Sequence, residues 1–235
     1  MTISGLTKSK KGIILSADSP ITFIINMVQE KTVSKGIYEN LSEAYIVVSL
    51  LRDLIKVMKV HPTQIGVIVS YNSQKNVIFE TIKKDKSFGN LLLNVDNLSI
   101  STIDSFQGRE KEVIIFATTR SNMQDEIGFL RDERRFNVAI TRAKRALIVI
   151  GNIKTFGQAR HKHLESFVKD AQDPSNKILV YDSKQKSFKD IVTNEEILLE
   201  SAASIALSKF HKIGQVCLTS IPVSSLSRNS DSSEE

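Results

Sequence analysis

The stretch Ala146-Leu-Ile-Val-Ile-Gly151 decides the fold class. It has the length of a strand and contains no polar residue, which indicates that neither face of the strand meets water. Strands buried on both faces are typical of parallel sheets that are covered by helices. We therefore expect residues 146–151 to form a central strand of an α/β protein.

Short apolar runs alternate with helical patterns on both sides of this strand. The other predicted strands are residues 21–28, 65–71, 98–103, 113–118 and 177–182. One predicted helix begins near Ser42, its expected N-cap. Three further helices are predicted at residues 72–84, 133–144 and 161–172. The first helix has one apolar stripe: Ala44, Val47, Val48, Leu51, Leu54, Ile55 and Met58. The alternation predicts a three-layer α/β fold, a parallel sheet with helices on both faces.

The composition is that of a globular protein. Of 235 residues, 41% are apolar and 25% are charged, which excludes a collagen, a wholly disordered chain and a coiled coil. The single cysteine, Cys217, supplies neither an intrachain disulfide nor a cysteine-rich zinc site, and we expect no metal site. The apolar runs have strand length, and the basic N-terminus lacks the apolar core of a signal peptide. We expect an intracellular protein of the cytoplasm or nucleus that does not enter membranes.

Positive charge is concentrated in one part of the chain. The net charge is +6, yet residues 131–162 alone hold nine Lys or Arg against two acidic residues. This distribution favours an anionic partner that binds near this segment.

Four regions follow from the patterns. We expect an N-terminal segment (1–19), the α/β domain (20–182), an extension (183–222) and a disordered serine-rich tail (223–235). The extension contains one predicted helix with an apolar stripe: Leu199, Ala202, Ala203, Ala206 and Phe210. This helix either packs on the sheet or binds a partner, and its alanine-rich stripe favours packing on the sheet.

Two polar stretches adjoin the predicted strands. Residues 101–110 place Asp104, Ser105, Gln107, Gly108 and Glu110 after a strand, at the crevice where α/β sheets bind ligands; the alternative is a polar loop with a glycine turn. The second stretch is residues 134–145, in which the predicted helix 133–144 carries several arginines.

That helix would place Arg135, Val138 and Arg142 on one face. Two guanidinium groups on a helix beside a central strand are suited to polyphosphate, because the planar fork stays charged. The alternative is a solvated basic face.

Taken together, these stretches resemble a known family. The segments SISTIDSFQGREKEVIIFATTRSN (99–122) and IGFLRDERRFNVAITRAKRALIVIGN (127–152) resemble the last two motifs of superfamily 1 helicases of the RNA-surveillance and senataxin type. YENLSEA (38–44) and QIGVIVSYNSQK (64–75) fit the same pattern, and the resemblance covers roughly residues 20–170. It implies a RecA-like domain of the P-loop NTPase superfamily, the C-terminal motor domain of such a helicase.

The resemblance also implies roles for single residues. Gln107, Gly108 and Glu110 would sense a bound ATP, and Arg142 would be an arginine finger for its γ-phosphate. The strand-to-helix turn of Tyr71, Asn72 and Ser73, together with Thr102, would hold the backbone of single-stranded RNA or DNA. The alternative for Tyr71 and Ser73 is a helix cap.

The sequence also departs from a whole helicase core. It contains no G-x-x-x-x-G-K-S/T sequence, no Asp-Glu pair after a strand and no Tyr-Arg-Met-His-Pro segment, so the domain would lack the P-loop. A first motor domain, in cis or in trans, would have to supply these groups and the Mg²⁺ that accompanies ATP. Two hypotheses remain: part of an ATP-dependent RNA or DNA helicase, inactive alone, or a hydrolysis-deficient helicase-like protein that binds nucleic acid.

Overall fold

A computed structural model describes residues 20–86, 88, 98–158, 160–173, 176–182 and 187–190. The strands are β1 (Ile21–Ile25), β2 (Lys31–Ser34), β3 (Ile37–Glu39), β4 (Ile65–Val69), β5 (Ser99–Thr102), β6 (Lys111–Ala117), β7 (Ala143–Gly151), β8 (Lys177–Asp182) and β9 (Ser187–Asp190). The helices are α1 (Leu41–Arg52), α2 (Asn72–Lys84), α3 (Ile103–Phe106), α4 (Glu133–Ile140), α5 (Ile153–Gln158) and α6 (Lys162–Ala171). A π-helical turn (Asp53–Val57) extends α1, and 3₁₀ turns cover Pro62–Gln64 and Gly128–Arg131.

Strand β7 lies at the middle of the sheet, as its apolar sequence predicts. The order is β5-β4-β6-β7-β1-β8-β9, and all neighbouring pairs are parallel except β8 with β9. Ile148 and Ile150 point into one apolar core, whereas Leu147 and Val149 point into the other. The side chains of β7 thus join both layers of packing.

The two cores lie on opposite faces of the sheet. Apolar residues of α1 and α2, among them Val47, Leu51 and Ile78, fill the first core. Phe106, Phe136 and other residues of α3 to α6 fill the second. The expected three-layer α/β architecture, a mostly parallel sheet with helices, is confirmed and is consistent with a RecA-like fold.

The N-terminus of α1 differs from the prediction. The N-cap is Asn40, whose side chain accepts a hydrogen bond from the Glu43 N–H at 3.1 Å, so the expected cap at Ser42 is wrong. Ser42 instead donates its hydroxyl to Asn26 Oδ1 at 2.9 Å. The predicted apolar stripe is confirmed: Ala44, Val47, Val48, Leu51 and Leu54 are buried, while Ile55 and Met58 are partly buried.

Helix α4 is shorter than predicted. It ends at Ile140, where the Thr141 hydroxyl donates to the Asn137 carbonyl at 2.6 Å, and β7 begins at Ala143. The expected helix to residue 144 is therefore wrong, because pairing of Ala143 with Lys111 of β6 extends the strand backwards. As a result, Arg142 lies in the connection and not on the helical face of Arg135.

Several elements carried no clear signal in the sequence. The β2–β3 hairpin, α3, α5 and β9 were not predicted, because they are short and only partly apolar. The N-terminal segment 1–19, the helix expected within residues 195–210 and the tail 223–235 lie outside the described residues. None of the helices in the described ranges is long and apolar enough to cross a membrane.

Gly66 in β4 gives a test of how the sheet faces pack. A Cβ at this position would lie 2.6 Å from Phe106 Cζ and 2.8 Å from Ile114 Cδ1, both in fully buried side chains. We expect Gly66→Ala to lower the free energy of unfolding by roughly 1–3 kcal/mol in urea denaturation, because the added methyl group would displace well-packed side chains of the core.

Gly157 in α5 is the matched control. A Cβ there meets nothing within 4 Å, so Gly157→Ala should leave stability unchanged or raise it slightly. Equal stability of Gly66→Ala and the unmodified protein would contradict the close packing of Phe106 on β4.

Candidate functional site

The predicted site residues lie at opposite edges of the sheet. Parallel strands share one edge where they begin and another where they end. The strands β4, β5, β6 and β7 begin at Ile65, Ser99, Lys111 and Ala143, which define the amino edge, and end at Val69, Thr102, Ala117 and Gly151, which define the carboxyl edge. Tyr71, Asn72, Ser73 and Thr102 lie at the carboxyl edge; Gln107, Gly108, Glu110 and Arg142 lie at the amino edge.

The stretch 101–110 does not stay in one crevice, contrary to the expectation from its sequence. Asp104 and Ser105 lie on α3, and the chain then returns across the sheet to the start of β6. Phe106 packs against Gly66 on the way, which lets the chain cross close to the sheet. Gln107, Gly108 and Glu110 are therefore separated from the carboxyl edge.

The turn before β6 is exposed. Gly108 has a φ of +77°, a region that favours glycine. A Cβ at this position would meet nothing within 4 Å. Glycine is therefore favoured here by the main-chain conformation and not by a lack of space for a side chain. Gln107 and Glu110 are exposed, and the Glu110 carboxylate lies 3.7 Å from the Lys144 ammonium group. These side chains can reach a molecule that approaches the amino edge.

Arg142 enters the same edge from the neighbouring strand. The N–H of Lys111 donates to the Arg142 carbonyl at 3.1 Å, which places residues 110 and 142 next to each other in the sheet. The half-buried guanidinium donates to the Val138 carbonyl at 3.1 Å and to the Thr141 hydroxyl at 2.8 Å.

Arg142 differs from Lys144 and Arg145, the two cations that follow it on β7. Arg145 pairs with Glu112 at 2.6 Å, and Lys144 pairs with Glu110. Arg142 forms no ion pair with any residue that the structure describes, although two hydrogen bonds hold it in place. An oriented guanidinium without a carboxylate can bind an external anion.

At the carboxyl edge, Tyr71 is a packing residue. It is the N-cap residue of α2, yet its side chain makes no capping hydrogen bond, and the residue is only 5% exposed. The ring contacts those of Tyr38 and Phe129 at centroid distances of 5.3 and 5.0 Å. Burial raises the pKa of the Tyr71 phenol, and the ring supports the surface from beneath.

The other residues of this edge are more accessible. Asn72 is exposed, and the Ser73 hydroxyl donates to the Tyr38 carbonyl at 2.7 Å. The Thr102 hydroxyl donates to Ser105 Oγ at 3.0 Å. Since the first N–H groups of a helix have no partner within the helix, the start of α2 presents donors for an anion.

Comparison with known proteins identifies the family. Residues 7–154 match the model of a family described as "AAA domain", which is more than half of the chain. The chain belongs to this AAA-domain family. In the described ranges of this AAA domain, no group of three or more His, Cys, Asp or Glu side chains is arranged to hold a metal ion.

Curated relatives of this AAA domain include helicases. The chain is 36% identical over 155 residues to "Regulator of nonsense transcripts 1 homolog" of Drosophila melanogaster, covering 65% of the chain and 13% of that protein. It is 45% identical over 103 residues to "DNA polymerase alpha-associated DNA helicase A" of Saccharomyces cerevisiae, covering 44% and 14%. It is 44% identical over 133 residues to "Regulator of nonsense transcripts 1" of Caenorhabditis elegans, covering 57% and 12%. The chain thus spans about one eighth of the length of these relatives, and together the matches support a superfamily 1 helicase domain.

Sequence reasoning missed a buried polar network in the AAA domain near the carboxyl edge. Asn40 and Gln74 exchange two hydrogen bonds, from Asn40 N–H to Gln74 Oε1 at 2.7 Å and from Gln74 Nε2 to the Asn40 carbonyl at 2.9 Å. Fully buried Glu43 accepts from the Thr119 N–H at 2.8 Å and from the Thr118 hydroxyl at 3.4 Å. The network ties α1 and α2 to the end of β6.

A buried ion pair adjoins this network. The Arg120 guanidinium lies 3.1 Å from the Glu30 carboxylate, and both side chains are at most 5% exposed. Glu30 also accepts from the Ser121 N–H at 2.6 Å and from Asn122 Nδ2 at 3.0 Å. The signal that could have revealed these residues is the polar run 118–122 directly after an apolar strand, since charged groups are seldom buried without a partner.

Glu43 predicts a pH dependence of stability. Burial, the largest effect, raises the pKa of Glu43 from 4.5 to about 8 against the opposing hydrogen bonds from Thr119 and Thr118. The folded protein therefore holds a proton that the unfolded chain releases above pH 4.5. Stability from this group is present at low pH and falls as the pH rises towards 8.

We expect Glu43→Gln to flatten this dependence, because glutamine mimics the protonated carboxyl without titrating. The free energy of unfolding in urea, measured at several values between about pH 5 and pH 8, should decline less steeply for Glu43→Gln than for the unmodified protein. Exposed Glu80 on α2 is the control, since Glu80→Gln removes a carboxylate whose pKa is lowered. Equal slopes for Glu43→Gln and the unmodified protein would contradict a protonated Glu43.

Proposed function

We propose that residues 20–182 are the C-terminal motor domain of an ATP-dependent helicase of the RNA-surveillance and senataxin type. The observation that carries this proposal is the placement of two anion-binding features at opposite edges of one sheet. At the amino edge is the oriented guanidinium of Arg142, which forms no ion pair within the described part of the chain. At the carboxyl edge is the N-terminus of α2. A nucleotide and a nucleic acid can thus bind to the domain at the same time.

The amino edge fits a nucleoside triphosphate. ATP supplies the phosphoanhydride bond whose hydrolysis drives helicases. Arg142 would bind the terminal phosphate, since its guanidinium lacks a carboxylate partner within the described residues and already points along a fixed direction. Gln107 and Glu110 are exposed acceptors for ribose hydroxyls, and the main chain at Gly108 permits close approach.

A second domain would complete this site. The 235 residues contain no G-x-x-x-x-G-K-S/T sequence, whose lysine and hydroxyl hold phosphates and Mg²⁺ in P-loop enzymes. We propose that a first motor domain, in cis or in trans, provides them. Arg142 would then act across the interface between the two domains, as arginine fingers do.

The carboxyl edge fits single-stranded RNA or DNA. The N–H groups at the start of α2 and the exposed Asn72 side chain can bind backbone phosphates. Thr102 lies at the same edge, on the neighbouring strand β5. Since these groups contact the backbone and not the bases, we expect binding without sequence preference.

A hydrolysis-deficient nucleic-acid-binding protein is the second candidate, because the sequence lacks the phosphate-binding loop. This protein would use the carboxyl edge alone. Both candidates predict binding of single strands, and they differ in whether a first motor domain restores ATP hydrolysis.

The purified chain should release no phosphate from ATP above background, with or without single-stranded RNA. The reason is that the lysine and the magnesium carboxylate used by this class are not in the sequence. A nucleic-acid-dependent rate that disappears in Arg142→Ala would contradict this expectation. Recovery of hydrolysis on addition of a first motor domain, and its loss with Arg142→Ala, would favour the helicase over the second candidate.

Binding of single-stranded RNA should be weak and sensitive to salt. With about three phosphate contacts, affinity should fall roughly 20-fold between about 50 and 200 mM salt, as measured by fluorescence anisotropy. At a given salt concentration, Asn72→Asp should bind single-stranded RNA more weakly than the unmodified chain, because a carboxylate at the start of α2 repels phosphate.

Asn137→Asp is the matched control. It adds the same charge at an exposed position of α4, whose end leads to the amino edge, and should leave RNA affinity nearly unchanged. An RNA affinity independent of salt, or equal effects of the two substitutions, would contradict backbone binding at α2.

A further inference from the structure

Phe129 is an exposed aromatic residue at the carboxyl edge. It lies in the 3₁₀ turn Gly128–Arg131, and 45% of the residue is exposed, although most of the phenylalanines described by the structure are buried. Its ring packs on Tyr71 with an interplanar angle of 41°, and Tyr71 packs on Tyr38. The three rings form a row with partly buried Tyr38 at one end, buried Tyr71 in the middle and exposed Phe129 at the other end.

The row is fixed from below. The Arg120 guanidinium lies 3.8 Å from the centroid of the Tyr38 ring and is itself held by buried Glu30. Gly128 has a φ of +57°, and a Cβ there would lie 2.1 Å from the Tyr71 hydroxyl oxygen. This close contact and the neighbouring rings restrict the conformations that Phe129 can adopt. The exposed face of its ring is therefore oriented before any ligand binds.

One guanidinium lies beside the Phe129 ring, and further charged residues follow it in the sequence. The Arg135 guanidinium lies 5.1 Å from the centroid of Phe129 and also pairs with Asp104 at 3.2 Å. Arg131 and Arg134 are exposed close by in sequence, together with Asp132 and Glu133. Tyr71, which supports Phe129, is the residue that precedes α2, so the ring adjoins the helix start proposed above for phosphates.

We propose that Phe129 is a stacking surface for one base of a bound single strand, with Arg135 at its side. This inference rests on the proposed function and adds a base contact to the phosphate contacts at α2. An aromatic ring beside a guanidinium suits a base, because every base has a flat π-face and each phosphate attracts the cation. The contact depends on the presence of a base and not on its identity.

The sequence offers a direct probe, because it contains no tryptophan. In Phe129→Trp the full chain has one indole, which should stack in place of the phenyl ring. We expect its fluorescence to be quenched by a single-stranded oligonucleotide of about twelve nucleotides, and not by an abasic oligonucleotide of equal length.

Tyr45 provides the matched control. It is 54% exposed on α1, in the layer that faces away from Phe129. The single indole of Tyr45→Trp should keep its fluorescence with either oligonucleotide. Quenching of Tyr45→Trp equal to that of Phe129→Trp, or no quenching of Phe129→Trp by a bound strand, would overturn the proposal.

Affinity gives the second measurement. Phe129→Ala should weaken binding of the base-containing strand by roughly 5- to 100-fold and leave binding of the abasic strand unchanged. Phe129→Trp should retain affinity, and Tyr45→Ala should have no effect. Equal losses of affinity for both strands would overturn the stacking contact, and so would an unchanged affinity. An unchanged affinity is the result expected if Phe129 binds a protein partner instead.

The design separates failure of this inference from failure of the proposed function. If the unmodified chain binds neither strand, the proposed nucleic-acid site is wrong and the stacking contact falls with it. If the unmodified chain binds in a salt-dependent manner but Phe129→Ala binds equally well, only the stacking contact is wrong. Thermal unfolding of each variant confirms that it is folded at the temperature of the measurement.

Discussion

Parallel pairing of β6 with β7 is the constraint on which the arrangement of the domain depends. Both strands begin at the amino edge, and their register pairs Lys111 with Ala143. Residues far apart in sequence, Glu110 and Arg142, thereby become neighbours. The same pairing ends α4 at Ile140 and prevents Arg142 from joining the helix, so that its guanidinium bends back onto the last helical turn.

The carboxyl edge is organised by buried polar groups and not by apolar packing alone. Removing Glu43, Glu30 and Arg120 from water is costly, and the cost is offset by hydrogen bonds to the main chain around residues 119–121 and by the ion pair. These bonds join α1, the segment after β1 and the end of β6. A truncation of Glu30 or Arg120 would leave the charge of the other buried without compensation, which makes this ion pair intolerant of substitution.

Much of the framework could be predicted from the sequence, because apolar runs and helical periodicity report burial directly. The run at 146–151 indicated the central strand, and α2 began and ended at the predicted residues. The end of α4 could not be predicted, since local helix propensity at Ala143 and Lys144 competes with strand pairing that is visible only in three dimensions. Short elements such as the β2–β3 hairpin have too few apolar residues for a periodic signal.

The layout of the candidate site could not be predicted from the sequence, and the roles of its residues stay a prediction. Gln107, Gly108, Glu110 and Arg142 came from motifs, yet nothing local to residues 101–110 shows that the chain crosses the sheet over Gly66. The exposed position of Phe129 could not be predicted either, because an isolated aromatic residue in a loop belongs to no periodic pattern. Its support by Tyr71 joins residues that are distant in sequence.

Helix α4 has a mechanical consequence. It has eight residues and is about 12 Å long; Phe129 precedes its capped start, and Arg142 is bonded to its end. A short helix packed on a sheet neither stretches nor bends appreciably. Helix α4 therefore keeps Phe129 and Arg142 at a nearly constant distance from each other. If Phe129 and Arg142 bind a base and a phosphate as proposed, the domain would hold these two ligands at a nearly constant distance from each other.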